Sequence, residues 1–210
     1  MFAILAFGDS IVQGRKAPAS RGWVQLLKED FEYRGDHHYV FNLGVPGDTS
    51  FTLLKRLAAE SQARLHHRRE GDRIVLLIGV GTNDAKCVGS PDIHETDPAH
   101  FRKNLHELIG QARTFTDRVA LIGLLPVDES KVSPYGDTWF TNARQGEYNT
   151  IIKEVCGWEK TLFIDPSGRW QQDDHLRFLE DGLHPNGIGH RRLYEQIHGA
   201  LTKHGILKED

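Results

Sequence analysis

The sequence predicts an α/β fold, a three-layer α/β/α sandwich around a flavodoxin-like five-stranded parallel sheet with strand order 2-1-3-4-5. Short apolar runs, as expected for strands, alternate with longer segments whose apolar residues recur every three or four positions, as on one face of a helix. The runs FAILAF (2–7) and IVLLIGV (74–80) are apolar throughout, which is typical of parallel strands covered by helices on both faces. No repeat or linker interrupts the 210 residues, so a single domain over residues 1–210 is expected.

The first part of the chain supplies three of the expected strands and two helices. The strands are expected at 2–7, 38–43 and 73–80. A first helix over 22–34 has an apolar face made of Trp23, Leu26, Leu27 and Phe31. A second helix is expected from Asp48 to about His67, with an apolar side made of Phe51, Leu54, Leu57 and Leu65. Asp48, Thr49 or Ser50 can cap its start, because each side chain can accept a backbone N–H there.

The second part supplies two strands, at 118–125 and 161–165, and three helices. The helix over 98–115 has Asp97 as its expected cap and Pro98 at its first position, where the missing N–H costs nothing. The apolar residues of the next helix are Tyr148, Ile151, Ile152 and Val155. A last helix, from about Gly187 to Lys203, carries Ile188, Leu193, Ile197 and Leu201. Right-handed crossovers between successive parallel strands place helices on both faces of the sheet.

Composition argues against several classes of function. The formal net charge of -3 gives no reason to expect a nucleic acid or an anionic membrane surface as partner. Cys87 and Cys156 lack the spacing of a zinc site and are expected to be reduced thiols, although a disulfide between them stays open. The twelve histidines include no HExxH or HxH arrangement, so no metal and no cofactor is predicted.

The N-terminal segment has only a short apolar run before Gly-Asp-Ser, unlike a secretory signal peptide. No stretch of the sequence approaches the ~20 apolar residues that a membrane-spanning helix needs. We therefore expect a cytoplasmic protein without integral membrane association.

Polar and reactive residues follow the predicted strands. Ser10 comes after the first strand, Gly44 after the second and Asn83 after the third, while His184 lies before the last helix with Asp181 three residues earlier. Ligands of open parallel sheets bind beyond the carboxyl ends of the strands, and strand one lies between strands two and three, so the first three residues should converge. Each residue alone is ordinary, since a Gly-Asp-Ser turn commonly serves only as a turn with a helix cap.

Four short blocks, in order, resemble those of the GDSL or SGNH hydrolases. They are GDSIVQG with Ser10, NLGVPGDTS with Gly44, Gly81-Thr82-Asn83-Asp84, and Asp181-Gly182-Leu183-His184-Pro185. The blocks span residues 8–185, and the first departs from the family pattern only by Ile in place of Leu. The GxSxG elbow of α/β-hydrolases is absent from the sequence, which fits this resemblance.

The resemblance implies a serine esterase or acylhydrolase that cleaves carboxylic esters through an acyl-enzyme. Ser10 would be the nucleophile and His184 its general base, because a serine hydroxyl needs an adjacent base to react at neutral pH. Asp181 would orient the ring of His184 and stabilise its protonated form. The backbone N–H groups of Ser10 and Gly44 and the side-chain amide of Asn83 would bind the oxyanion.

Other polar residues near these blocks have less specific expectations. Asp9 and Asp84 are expected to bond to loop backbone, and His190 and His198 to be exposed or to pack on the last helix. Asp165, at the end of strand five, stays open as a competing triad acid.

Two long loops predict the walls of a substrate pocket. The loop over 126–145 contains Trp139 and Phe140, and the loop over 166–180 contains Trp170 and Phe178. These aromatics either line an acyl or leaving-group pocket or pack locally against their own loops. The expected partner is a small-molecule ester or thioester, since the family acts on lipid esters, thioesters and acetylated sugars and nothing in the motifs selects among them.

Three alternatives to ester hydrolysis remain open. The same acyl-enzyme could transfer its acyl group to an alcohol other than water. A non-catalytic flavodoxin-like binding protein is less consistent with the sequence, because its phosphate loop after strand one should be rich in Ser and Thr and GDSIVQG is not. An inactive family member acting as an interaction protein is disfavoured by the intact catalytic blocks.

Overall fold

A computed structural model describes residues 1–33, 38–172 and 174–207 of the chain. Arg34, at the end of the first predicted helix, lies outside the described residues, and so does Asp173 in the second long loop. Within the described ranges, no helix is both long and apolar enough to cross a membrane.

The main sheet has five parallel strands, as the sequence predicts. The strands in chain order are β1 (Phe2–Gly8), β2 (Tyr39–Gly44), β3 (Arg73–Gly79), β4 (Cys87–Val88), β5 (Val119–Ile122), β6 (Thr138–Trp139) and β7 (Leu162–Ile164). The main sheet runs β2-β1-β3-β5-β7, while β4 and β6 form a separate antiparallel pair. The five predicted strands thus have the predicted order, and the carboxyl ends of β1, β2 and β3 lie side by side at one edge of the sheet.

Nine α-helices and two short 3-10 helices connect the described strands. The α-helices are α1 (Ser10–Gln13), α2 (Trp23–Tyr33), α3 (Ser50–Leu54), α4 (Leu57–Leu65), α5 (Pro98–Arg113), α6 (Glu129–Val132), α7 (Asn142–Glu159), α8 (Ser167–Gln172) and α9 (Gly187–Lys203). The 3-10 helices are Pro18–Ser20 and His175–Phe178. Asp97 caps α5 through the backbone N–H groups of Ala99 and His100, as its position before Pro98 predicts.

The single helix expected from Asp48 to about His67 is two helices, α3 and α4. Thr49 caps α3 in a reciprocal capping box with Thr52, so Asp48 is not the cap. The chain leaves α3 through tightened backbone bonds from Lys55 to Thr52 and from Arg56 to Leu53. This break rotates the start of the segment, so that Phe51 is 54 % exposed rather than part of the buried face.

The two long loops contain more regular structure than the sequence predicts. Helix α6 and strand β6 lie within 126–145, and α7 already begins at Asn142; α8 and a 3-10 helix lie within 166–180. Helices of four to six residues are too short to show an apolar period, and they depend on local caps such as the Asp128 carboxylate on Ser130 N–H. Ile188 is also exposed, because it lies in the first turn of α9.

Two hydrophobic clusters lie on the two faces of the sheet. Leu5 and Phe7 of β1 pack into the cluster under α3, α4, α5 and α7, while Ile4 and Ala6 pack into the cluster under α2 and α9. All seven residues of β1 are buried, which explains why its sequence is apolar without alternation. Cys87 and Cys156 are buried free thiols in this structure.

Candidate active site

Ser10 lies at the first position of α1, immediately after the central strand β1. Asp9 caps this four-residue helix, and its carboxylate accepts the N–H of Ile11 at 2.8 Å. Gly14, in the left-handed conformation with a φ of 91°, ends the helix. Ser10 is only 8 % exposed, so the fold presents its hydroxyl at the sheet edge in a largely enclosed setting.

The Ser10 hydroxyl, the His184 ring and the Asp181 carboxylate form one chain of hydrogen bonds. Ser10 Oγ lies 3.0 Å from His184 Nε2, and His184 Nδ1 lies 2.9 Å from Asp181 Oδ2 and 3.1 Å from Asp181 Oδ1. A carboxylate only accepts hydrogen bonds, so Nδ1 carries a proton and Nε2 faces the serine as an acceptor. This arrangement lets His184 take the proton of Ser10.

Asp181 is held in place by the backbone of its own turn. Asp181 Oδ1 accepts the N–H of His184 at 2.9 Å and the N–H of Leu183 at 3.1 Å. Burial raises the pKa of the Asp181 carboxyl, but its bonds from His184 and Leu183 outweigh that effect and leave the pKa below its usual range. Asp181 is therefore ionised at neutral pH.

Burial also sets the protonation state of His184, which is only 9 % exposed. Burial lowers the pKa of the His184 ring, its bond with Asp181 opposes that shift, and the nearby cations Arg15 and Lys16 add to the lowering. The net pKa lies below the usual value for histidine, so the ring is neutral at pH 7 and available as a base.

Asn83 lies beside the chain segment that follows β2. Its side-chain Nδ2 donates to the backbone carbonyl of Asp48 at 3.0 Å. The neighbouring Asp84 carboxylate accepts both the N–H and the hydroxyl of Ser50, at 2.9 Å and 2.6 Å. These two consecutive residues therefore hold the segment 48–50 against the end of β3, and this bond to Asp48 uses one of the two amide hydrogens of Asn83.

Gly44 has a different setting from the one the sequence predicts. Its N–H donates to Asn42 Oδ1 at 3.1 Å, so the structure gives this proposed oxyanion donor a protein partner. A Cβ at Gly44 would lie 2.2 Å from the backbone nitrogen of Gln13, so glycine is needed there to let α1 pack against β2. The role of Gly44 in this structure is close packing rather than a free N–H.

Gly47 offers a donor that the sequence reasoning missed. It is exposed, has a φ of +84°, and lies in the turn that Asp48 N–H closes onto the carbonyl of Val45 at 3.1 Å. Among the described residues, nothing accepts its N–H. Pro46 before it is the sequence signal of a type II turn, in which the third residue is glycine.

The chain matches the model of the GDSL-like Lipase/Acylhydrolase family over residues 6–192. The chain belongs to this family. It is 27% identical over 203 residues to Esterase TesA of Pseudomonas aeruginosa, an alignment that covers 94% of this chain and 87% of the esterase. A lipase/acylhydrolase from Enterococcus faecalis has a similar crystal structure, with a TM-score of 0.75, 28% identity and 97% of each chain covered.

A lower-identity structure supports the same fold for this family member. A lipolytic G-D-S-L family protein from Veillonella parvula has a TM-score of 0.72 and 20% identity, covering 97% of this chain and 100% of the other. The comparisons therefore support a hydrolase of ester substrates in general, and the individual residue roles depend on the geometry of the site itself.

The competing acidic residue, Asp165, is bonded elsewhere in this family member. Its carboxylate accepts the N–H and the hydroxyl of Ser167 at 2.9 Å and 2.6 Å in a local turn. The carboxylate bonded to the His184 ring is that of Asp181. Asp9 is completely buried, and burial, together with the charges of Asp84 and Asp48, raises its pKa to about 7. Asp9 and Asp84 both bond to backbone, but the N–H groups they accept belong to the first turns of α1 and α3 rather than to loops as expected.

His190 is a buried packing residue rather than an exposed one. Its Nδ1 accepts the N–H of Trp23 at 3.4 Å, and its Nε2 lies 3.3 Å from the carbonyl of Arg15. His190 thus ties α9 to the loop that follows α1. His198 lies further along α9, 3.4 Å from a carboxylate oxygen of Asp30.

The aromatic residues predicted to line a pocket divide into two groups. Trp170 is fully buried, donates its indole N–H to Gln196 at 3.1 Å and packs edge-on against Phe178, which is the local packing that the sequence left open as the alternative to lining a pocket. Phe140 is also buried, in a small cluster with Val127 and Val132 against which Leu183 packs, and there it supports the loop of His184. Both rings therefore pack against apolar residues in the interior of the protein.

Trp139 remains a candidate for contact with substrate. It is half-buried in β6, where it pairs with Cys87 of β4.

Within the described part of the chain, no group of three or more His, Cys, Asp or Glu side chains lies close enough to hold a metal ion.

Proposed function

We propose that this family member is a serine esterase in which Ser10, His184 and Asp181 form the catalytic triad. The observation that carries the proposal is the unbroken hydrogen-bond chain, 3.0 Å from Ser10 Oγ to His184 Nε2 and 2.9 Å from His184 Nδ1 to Asp181 Oδ2. Both distances are those of ordinary hydrogen bonds, and the neutral ring and ionised carboxylate are the protonation states that the reaction requires.

In the first half of the proposed reaction, His184 Nε2 accepts the proton of Ser10 while Oγ bonds to the carbonyl carbon of the ester. The carbonyl π electrons move to the oxygen, and Asp181 stabilises the resulting imidazolium. The oxyanion then re-forms the carbonyl, the alcohol leaves with the proton from His184, and Ser10 carries the acyl group. In the second half, water repeats the attack with His184 as base and releases the acid and free Ser10.

The proposed oxyanion donors are the N–H of Ser10, the N–H of Gly47 and the side-chain amide of Asn83. Gly47 replaces Gly44 in this set because the N–H of Gly44 is occupied by Asn42, whereas that of Gly47 has no partner among the described residues. Asn83 is tied to the carbonyl of Asp48, the residue next to Gly47, so two of the donors belong to one connected segment. Each well-placed donor contributes on the order of 3 kcal/mol to the transition state.

The proposed substrate is a small-molecule carboxylic ester or thioester, with the acyl chain length and leaving group left open. The related esterase of Pseudomonas aeruginosa and the lipase/acylhydrolase of Enterococcus faecalis are consistent with this class. Acyl transfer from the same acyl-enzyme is the second candidate, which added alcohols competing with water would reveal. A cytoplasmic location stays a prediction from the sequence.

The proposal is tested with p-nitrophenyl esters from acetate to decanoate and with a fluorophosphonate probe. Ser10→Ala should abolish labelling and lower kcat by on the order of 10⁴-fold or more. Ser90→Ala is the matched control, because within the described part of the chain the Ser90 hydroxyl bonds to the N–H of Asp92 in its own turn. Wild-type turnover in Ser10→Ala would overturn the assignment, and absence of labelling in the wild type would favour an inactive relative or a binding protein.

A further inference from the structure

We propose that Arg56 is a positioning residue for the oxyanion hole. Its guanidinium contacts the end of the strand that precedes Ser10 and, through Asp48, is linked to the segments of Gly47 and Asn83. This inference rests on the proposed function. Arg56 lies in the break between α3 and α4, and its side chain is only 17 % exposed. The break therefore has a structural consequence, since it turns this side chain back toward the sheet edge.

The guanidinium contacts the ends of two neighbouring strands at once. One terminal nitrogen donates to the carbonyl of Leu43 at 2.8 Å and to the carbonyl of Gly8 at 3.2 Å. Gly8 ends β1 two residues before Ser10, and Leu43 lies one residue before the end of β2. Arg56 thus holds the end of β2 at a set distance from the strand end that carries the nucleophile.

The same guanidinium reaches the third donor segment through Asp48. Arg56 Nε donates to Asp48 Oδ2 at 2.8 Å, and the terminal nitrogen that contacts Leu43 and Gly8 also donates to this oxygen, at 2.5 Å. The backbone carbonyl of Asp48 accepts the Asn83 amide at 3.0 Å, and Asp48 directly follows Gly47. The path from Arg56 to Gly47 and to Asn83 therefore passes through one residue.

An arginine suits this position for a geometric reason. The terminal nitrogen that meets both strand carbonyls also donates to Asp48, Nε adds a second bond to Asp48, and the other terminal nitrogen donates to Glu60 at 2.9 Å, so all three nitrogens of the guanidinium plane are used. A lysine would keep the positive charge beside Asp48 but has one nitrogen in place of three, so it cannot replace the Nε and Glu60 bonds together with the contacts to the strand carbonyls. Arg56→Lys therefore separates neutralisation of Asp48 from positioning of the loop.

The segment has a second, independent anchor, so loss of Arg56 need not unfold it. Asp84 holds Ser50 by two hydrogen bonds, and Asn104 donates to the Ser50 hydroxyl at 2.9 Å. Removal of Arg56 should therefore loosen the donors rather than release the whole segment.

The experiment measures kcat, KM, melting temperature and the pH profile for Arg56→Lys and Arg56→Met with p-nitrophenyl acetate. We expect both variants to lose kcat on the order of 10- to 100-fold with little change in KM, as for misplaced transition-state donors. The pH inflection should stay where it is, because His184 keeps its own partners. Fluorophosphonate labelling of Ser10 should slow in parallel with kcat.

The matched control is Arg113→Met. Arg113 likewise bridges a carboxylate, 2.8 Å from Glu159 Oε2, and the backbone carbonyl of Glu159, but it lies at the end of α5 on the outside of the sheet. This variant should lower the melting temperature and leave kcat near the wild-type value at temperatures where Arg113→Met and Arg56→Met are both folded.

A rescue experiment uses a third variant, Arg56→Ala. Guanidinium chloride should restore part of its kcat, whereas potassium chloride at equal ionic strength should not.

Two results would overturn the proposal. Wild-type kcat in Arg56→Lys would mean that only the charge beside Asp48 matters. A kcat loss in Arg56→Met no greater than that in Arg113→Met, measured below both melting temperatures, would show a purely structural role. Failure of the proposed function is distinct, because the wild type itself would then show no Ser10-dependent turnover or labelling.

Discussion

Exchanging Asp181 for Asn should remove the base without disturbing the fold. Asp181 Oδ1 accepts two backbone N–H groups, from His184 at 2.9 Å and Leu183 at 3.1 Å, so in the variant the amide oxygen must occupy that position. The amide nitrogen then takes the place of Oδ2, 2.9 Å from His184 Nδ1. An NH₂ group facing Nδ1 makes that nitrogen the acceptor, and the ring proton moves to Nε2, facing Ser10 Oγ.

A ring protonated at Nε2 cannot accept the proton of Ser10, so the expected loss in kcat is on the order of 10⁴-fold, about 5.4 kcal/mol of barrier. The assay is p-nitrophenyl acetate turnover, with ¹⁵N shifts of the histidine rings to report the tautomer. Asp165→Asn is the control, because among the described residues its carboxylate bonds to Ser167 in its own turn, and it should retain full activity. A loss below about tenfold in Asp181→Asn, or an equal loss in Asp165→Asn, would refute the triad assignment.

Three further outcomes follow from the described contacts. The kcat/KM should rise with pH as His184 loses its proton, with an inflection below the ordinary ~6.5 because burial lowers the pKa of the ring; a flat profile or a higher inflection would contradict this. Gly44→Ala should cost about 1 to 3 kcal/mol of unfolding free energy in urea titrations, because its Cβ would lie 2.2 Å from the Gln13 nitrogen, and unchanged stability would argue against that packing. Trp170→Ala should destabilise the protein by roughly 3 to 5 kcal/mol without altering the ratio of rates across the ester series, whereas Trp139→Ala should alter that ratio if its half-buried ring contacts the acyl chain.

Regular, fully covered elements were predictable from the sequence because burial leaves a clear pattern. Strand β1 is apolar throughout because both of its faces meet hydrophobic clusters, and α9 was placed at its observed bounds. The break at Lys55 and Arg56 was not predictable from apolar spacing, since Leu54 and Leu57 keep a helical interval across it. The backbone bonds that end α3 are local, but the Arg56 side chain that accompanies the break bonds to Gly8, Leu43 and Asp48, which only the fold brings near it.

The sequence predicts the three residues that the structure joins by hydrogen bonds, and it predicts less of what surrounds them. Ser10, Asp181 and His184 are tied to strand ends and to a three-residue spacing, both of which are visible in the sequence. Gly44 and Gly47 both follow β2, and spacing alone does not tell which N–H is free, since that depends on the Asn42 side chain. The sequence leaves open whether Trp170 lines a pocket or packs locally, because an aromatic residue in a long loop looks the same in sequence in either case.

The placement of Ser10 depends on close backbone contact at both sides of β1. A Cβ at Gly8 would lie 2.1 Å from the carbonyl oxygen of Gly79, the last residue of β3, and Gly44 meets Gln13 of α1 at a similar distance. Glycines at these strand ends let α1 lie directly over the sheet edge, so the hydroxyl of Ser10 meets His184 without a strained nucleophile elbow. Close packing at Gly8 positions Ser10, the proposed nucleophile, and Arg56 binds the carbonyl of the same glycine, so the two arrangements meet at the end of β1.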